Sequence, residues 1–371
     1  MELHDYLKQT PDYESEFRKL GLQVKKRKGL LLVKYPYDLD IDEMPEWVRF
    51  CRGAIIDTET NQLVCVPPAK AREVPFGHVS DLDLDSEDSG TGDGETYEYQ
   101  VLADGTMVNL FHHKGDWILA TRGGIGAKNK WDDKMSFNDM FQECAQIDYE
   151  ALDPTCSYSF VMKHVANRVV SPVAFNAIYL AEMYRYSTDP VVAPERLLVS
   201  AFPESSFHTV ETFDPSRCDP SQFDPTQEIP YYCKGYTMKR GSKRTKMINP
   251  NYEYVQGLKP NTNSAYLNYL ELRQNGNLKA YLQYFPEHVH PFNEYRDNIH
   301  KLTNNLYTTY KNVHIHKTQE RKDIPYYLKP LVYEVHGNYL DSKNPTTWSD
   351  IKQFVHELPP KKLMFALNYS E

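Results

Sequence analysis

Among its 371 residues the chain has no apolar run approaching the ~18 that a membrane helix requires. The opening stretch, MELHDYLKQT, also lacks the hydrophobic segment of a signal peptide. No CxxC spacing occurs among the six cysteines, Cys51, Cys65, Cys144, Cys156, Cys218 and Cys233. They are too sparse for a disulfide scaffold and are expected to be free thiols in a reducing compartment, with no zinc site expected. A basic excess is missing too: the net charge of −9 argues against indiscriminate nucleic-acid binding. No internal repeat is visible.

What remains is an ordinary soluble composition, long enough for two domains. Charge is uneven along it. Residues 81–95, DLDLDSEDSGTGDGE, carry seven acids and no base, and 78–95 is expected to be a mobile loop. Residues 234–246, KGYTMKRGSKRTK, carry six bases and no acid, which suits either a solvated surface or a phosphate site. The 28 tyrosines are expected mostly in the core, with some available to stack on nucleobases.

β-rich runs are predicted at 31–39, at 52–66 as a hairpin turning over Thr58 to Gln62, and at 97–111 and 117–121. Asp104-Gly105 reads as a tight turn between two of these runs, because both residue types tolerate positive φ. A helix is predicted over 135–145, strands at 157–163, 175–186 and 196–201, and a long surface connection over 202–230. From about residue 262 the period turns helical: Phe292, Tyr295, Ile299, Leu302, Leu306 and Tyr310 form one stripe. Thr347 and Asp350 form a capping-box pattern. The expected division is an α+β domain over 1–258 and an all-helical domain over 262–371.

Several segments occur in a telling order: CRGAIID (51–57), VCVPPAKAREV (64–74), LADGTMVNLF (102–111), WILATRGGIGA (117–127), YSFVMKHVANRVV (158–170), NAIYLAEMYRY (176–186) and KGYTMKRGSKRTKMINPNYEYV (234–255). Over residues 50–258 this set resembles the covalent nucleotidyltransferases, most closely the viral and phage-type RNA ligases. NRVV, TRGG and KMINPNY are its most specific matches. The resemblance implies an ATP-grasp-like ligase fold of antiparallel sheets with helices, plus a helical C-terminal domain.

The departures are at the chemistry. The family's attacking lysine falls at Leu102, which offers no nucleophile. Its two metal-holding glutamates fall at Val161 and Lys234, and the second lysine of its K-x-K falls at Ile248. Four replacements together imply loss of the standard mechanism. With the carboxylates gone, little is left to recruit Mg²⁺, which binds through hard oxygen ligands.

The resemblance therefore implies a pseudoenzyme that binds ATP, another nucleotide or an RNA end without a lysyl-nucleotide intermediate. Its nucleotide-binding residues would be Arg52, Asp104, Gly105, Arg122, Lys234 and Lys246. RNA or phosphate would be met by Lys70, Lys163, Arg168, Lys239, Arg240, Lys243 and Arg244. Tyr184 or Tyr186 is a candidate to stack on the base, with core packing as the competing role. Two alternatives stand: an active ligase using Lys70 or Lys163 as nucleophile, or a structural protein of a viral particle or complex that docks a protein partner through its helical domain. The expected location is the cytoplasm, that of a host or a virion if the chain is viral, with no membrane partner. Other chemistries fit worse. His112-His113, HVH (288–290) and HIH (314–316) lack a matching carboxylate. TRGGIGA does not sit in a βαβ unit.

Overall fold

The run from Leu30 to Val33 is buried at every position, as expected of a strand covered on both faces. The computed structural model describes residues 2–76, 97–130, 135–144, 147–199, 202, 207–213, 229–240, 243–260, 262 and 264–368. The acidic segment 78–95 and most of the connection over 202–230 lie outside the described residues. The chain divides into two units, Met1–Gln256 and Gly257–Glu371. No helix among the described residues is long and apolar enough to cross a membrane.

The first unit is α+β. Helices α1 (Leu3–Gln9) and α2 (Tyr13–Lys19) precede an antiparallel sheet of β1 (Gln23–Arg27), β2 (Leu30–Lys34), β3 (Arg52–Asp57) and β4 (Gln62–Cys65). The chain continues through β5 (Arg72–Val74), β6 (Tyr97–Val101), β7 (Thr106–His113), β8 (Asp116–Thr121) and β9 (Gly124–Ile125). After α3 (Phe137–Cys144) come β10 (Cys156–Lys163), β11 (Ala177–Arg185), β12 (Glu195–Leu197), β13 (His208–Thr209) and β14 (Thr212–Phe213). Then come β15 (Gly235–Arg240), β16 (Lys243–Ile248) and α4 (Pro250–Leu258), within which the first unit ends at Gln256.

The second sheet runs β12-β11-β10-β7-β8-β9, with β13 alongside β11. The third runs β14-β6-β15-β16-β5. One face of the first sheet packs Leu30, Leu32 and Ile55 on Phe111 and Ala120 of the second. Its other face meets Phe17, Trp47 and the helices.

The turn expected at Asp104-Gly105 is corrected here. β6 and β7 do not pair; β6 belongs to the third sheet and β7 to the second. Residues 102–105 are a crossing between sheets. Gly105 is required by close approach: at φ +152° a Cβ would lie 2.4 Å from the Met162 carbonyl oxygen of β10.

Charge also ties these two sheets together. Lys239 of β15 lies 2.8 Å from Glu182 of β11, both with fully buried side chains, and donates to the Ala181 carbonyl at 2.6 Å. Arg196 of β12 donates to Glu98 of β6 at 2.8 Å. The cations around Glu182 hold its carboxyl down at about 2 against the opposing pull of burial. Burial nevertheless draws Lys239 down to about 8, and Arg244, which shares Glu182, acts in the same direction.

The second unit is helical: α5 (Ala265–Gln274), α6 (Leu278–Tyr284), α7 (Val289–Tyr310), α8 (Lys329–Ser342), α9 (Trp348–Glu357) and α10 (Pro360–Asn368). Along α7 the stripe Phe292, Ile299, Leu302, Leu306 and Tyr310 is buried. Thr347 and Asp350 cap α9 reciprocally. α7 ends in a π-helical turn, Lys311–Ile315, that carries His314.

Candidate functional site

The crossing at 102–105 is where the motif segments meet. The Leu102 amide donates to the Gly235 carbonyl at 2.8 Å, pinning the crossing to β15. Asp104 is buried and committed to the protein. Its Oδ2 accepts from the amides of Val170 (2.9 Å) and Ser171 (2.7 Å), and its Oδ1 accepts from the Tyr252 hydroxyl (2.5 Å). Asn167 donates to Thr106 Oγ1 at 2.8 Å, and Arg168 donates to the Val170 carbonyl at 3.0 Å. The NRVV and NPNY segments are thus tied to the Asp-Gly segment by hydrogen bonds. Asp104 thus holds three protein donors, and Arg168 ties its own loop to the Val170 carbonyl.

Beside this frame stands a group of cations. Lys234, at the start of β15, is half-buried, and its ammonium lies 5.6 Å from the Tyr252 ring centre. Burial lowers its proton affinity, Asp104 raises it, and Lys246, Arg52 and Lys163 lower it again. Burial likewise lowers Arg52, with Arg244 and Arg122 pushing the same way. It also lowers Lys70, with Lys246 and Arg52 as the chief cations acting on it. Through its side chain Arg52 makes no hydrogen bond or ion pair with the described residues. Lys246 is paired with Glu73 at 2.5 Å, and Lys163 lies 5.0 Å from the Tyr179 ring centre. Lys234 is therefore within electrostatic reach of Arg52, Lys163 and Lys246, and Lys70 of Arg52 and Lys246.

Other expected residues are placed elsewhere. Lys239 is completely buried on Glu182, so it is removed from the RNA-contacting set. Arg244 is withdrawn the same way, 3.8 Å from Glu182 and bonded at 3.4 Å to the Ala69 carbonyl. Arg240 is half-buried and Lys243 exposed at the far end of the β15–β16 pair. Tyr184 packs in the core beside the first sheet. The Tyr186 hydroxyl accepts from the Val66 amide at 2.7 Å and bonds Ser157 at 2.8 Å, so both tyrosines are structural.

The position resembling the first metal-holding glutamate, Val161, packs against Ala181 and Val210. The second, Lys234, is a cation. These residues do not fit a divalent ion, whose charge they repel and whose ligands they lack. Among the described residues no group of three or more His, Cys, Asp or Glu is placed to hold a metal. The described cysteines, Cys51, Cys65, Cys144, Cys156 and Cys233, are free.

Sequence reasoning named Arg122 but missed the two tyrosines that hold it. Arg122 lies between two tyrosine rings, 4.6 Å from Tyr35 and 4.2 Å from Tyr37, and donates to the Tyr35 carbonyl at 2.7 Å. Gly53, at φ +103°, leaves room for it: a Cβ there would lie 2.8 Å from Arg122 Cα. This close approach is why the RG pair of β3 and the TRGG segment after β8 meet. Tyr37 has no periodic signal and stands in a loop, so its role shows only where Arg122 meets it in the fold. The partners Glu182, Glu98 and Arg196 are equally silent in the sequence.

No family model matches the chain. It is 23% identical over 232 residues to the immediate-early protein ICP-46 homolog of Invertebrate iridescent virus 3, covering 58% of this chain and 49% of that protein. The chain thus spans about half the length of the curated relative it matches. Similar solved structures include a putative ATP-dependent DNA ligase from Aquifex aeolicus, at 10% identity and TM-score 0.44, covering 74% of this chain and 70% of that one. An archaeal ATP-dependent RNA ligase, form 1, is 12% identical with TM-score 0.41, covering 78% and 79%. Form 2 is also 12% identical, with TM-score 0.39 over 71% and 64%.

Proposed function

We propose that the first unit is an RNA ligase-like nucleotidyltransferase domain that binds a nucleotide or an RNA end without forming a covalent adduct. The observation that carries this reading is Lys234. Where the resembling family places a metal-holding glutamate, this chain sets a half-buried ammonium among Arg52, Lys163 and Lys246. Fixed cations then take the place of a metal in neutralising phosphate. A phosphate there relieves the mutual repulsion of these groups, so binding is favourable without a divalent ion. Leu102 supplies no nucleophile, so bound nucleotide leaves unchanged. Titration of a 5′-phosphorylated RNA into wild type and K234E/K246E tests it. The double variant is expected to lose binding at least about tenfold, since two phosphate contacts are reversed in charge. Equal affinity removes the site.

A second reading is favoured by the burial and neighbouring cations that lower the proton affinity of Lys70. A lysine so perturbed is a better nucleophile than a free one, which suits adenylation at another position. Incubation with α-labelled ATP or GTP followed by denaturing electrophoresis decides it. Acid-stable label that vanishes in K70A supports this reading, and absence of label with any nucleotide or metal ends it.

A further inference from the structure

The cations at Lys234 continue through Arg52 to Arg122 and the two tyrosine rings that hold it. Arg52 is the joint, because its charge acts on Lys234 while Arg122 acts on it. Beyond it lie Arg122, stacked between Tyr35 and Tyr37, and Lys34 at the end of β2. Lys34 makes no hydrogen bond or ion pair through its side chain with the described residues, and the charges acting on it are Lys25 and Arg122.

Tyr37 is 86% exposed, the highest value among the large hydrophobic side chains that stand out from the surface. The Arg122 guanidinium covers its ring at 4.2 Å, and that guanidinium is itself fixed on the Tyr35 carbonyl and ring. An aromatic ring backed by a fixed cation and open to solvent is what a nucleobase stacks on. The unpaired ammonium of Lys34 and guanidinium of Arg52 stand beside it for the connecting phosphates.

Resting on the reading above, we propose that Tyr37 and Arg122 form a base-stacking platform for single-stranded RNA whose phosphorylated end lies at Lys234. The ligand is then a polynucleotide, and a free mononucleotide fills only the Lys234 end. Stacking of a base on an aromatic side chain is sequence-tolerant, so the platform adds affinity without choosing a sequence.

The test measures binding of a fluorescent, 5′-phosphorylated oligouridylate and of ATP to wild type, Y37A, Y37W and K234E/K246E. Y37A is expected to weaken the oligomer about tenfold and leave ATP unchanged, while Y37W keeps oligomer affinity and its indole emission is quenched on binding. K234E/K246E is expected to weaken both ligands. If Y37A binds the oligomer as wild type does while K234E/K246E loses it, the platform is overturned and the Lys234 site stands. If Y37A weakens ATP by the same factor, the ring belongs to the mononucleotide site and the platform is again overturned. If wild type binds no RNA, both readings fall. Tyr37 is solvent-exposed, so its removal leaves the fold intact.

Discussion

The Tyr252 hydroxyl donates a 2.5 Å hydrogen bond to Asp104 Oδ1, joining the NPNY segment at the start of α4 to the crossing between two sheets. The bond is buried, and with two backbone amides on Oδ2 it completes the acceptance of a charged group. Burial and the adjacent carboxylate push the Tyr252 hydroxyl well above the ordinary tyrosine range, so it stays protonated and donates.

Y252F removes that donor while keeping the ring. A hydrogen bond to a charged group contributes about 1.5–3 kcal/mol, so the first unit is expected to lose stability of about that size. Urea unfolding followed by intrinsic fluorescence checks it. Stability equal to wild type would mean that water replaces the hydroxyl without loss.

L102K returns the family's amine to the crossing. The amide of residue 102 keeps its bond to Gly235, so the fold is retained. Val161 and Lys234 still supply no carboxylate for a metal–triphosphate complex. With α-labelled ATP and Mg²⁺, less than about 1% of the protein is expected to carry acid-stable label. Stoichiometric labelling would show that the nucleophile alone had been missing.

K239M leaves Glu182 charged and buried without its nearest partner. Breaking a buried pair from one side costs about 3–5 kcal/mol, whereas K239M/E182M is expected to regain most of it. The acid limb follows by sign. Glu182 is held down at about 2 against an ordinary 4.5, so its contribution is complete above pH 4.5 and is lost as pH falls toward 2. Thermal melts across that window should flatten in E182M/K239M.

In the helical unit, His314 and His336 stack with ring centres 3.7 Å apart, and His314 Nε2 and His336 Nδ1 are buried without hydrogen-bond partners. Burial lowers both proton affinities, and Arg321 acts on both in the same direction. The unfolded chain then takes protons near 6.5 more readily than the fold does. Stability is complete above that value and falls as pH drops below it. Melting temperatures at pH 7.5 and 5.5 should differ in wild type and draw together in H336F. An unchanged difference in H336F would place the sensitivity elsewhere.

Much of the architecture was legible because period and order survive in the residues. The β3–β4 and β7–β8 hairpins, the α7 stripe and the α9 cap follow local rules that act within a few positions. Asp104-Gly105 was misread because a glycine needed for close approach to β10 looks, locally, like one needed for a turn. Lys239 was misread because its partner, Glu182, is 57 residues away in the sequence and meets it only when two sheets pack. Tyr37 was overlooked because its meaning depends on Arg122, brought beside it by Gly53.

The claim that fixed cations stand where a metal would is tested most directly by RNA affinity with and without divalent ion. Binding of a 5′-phosphorylated RNA should agree within about twofold in EDTA and in Mg²⁺ at matched ionic strength, and fall steadily with added salt as phosphate contacts are screened. Binding that appears only with Mg²⁺ would contradict the account.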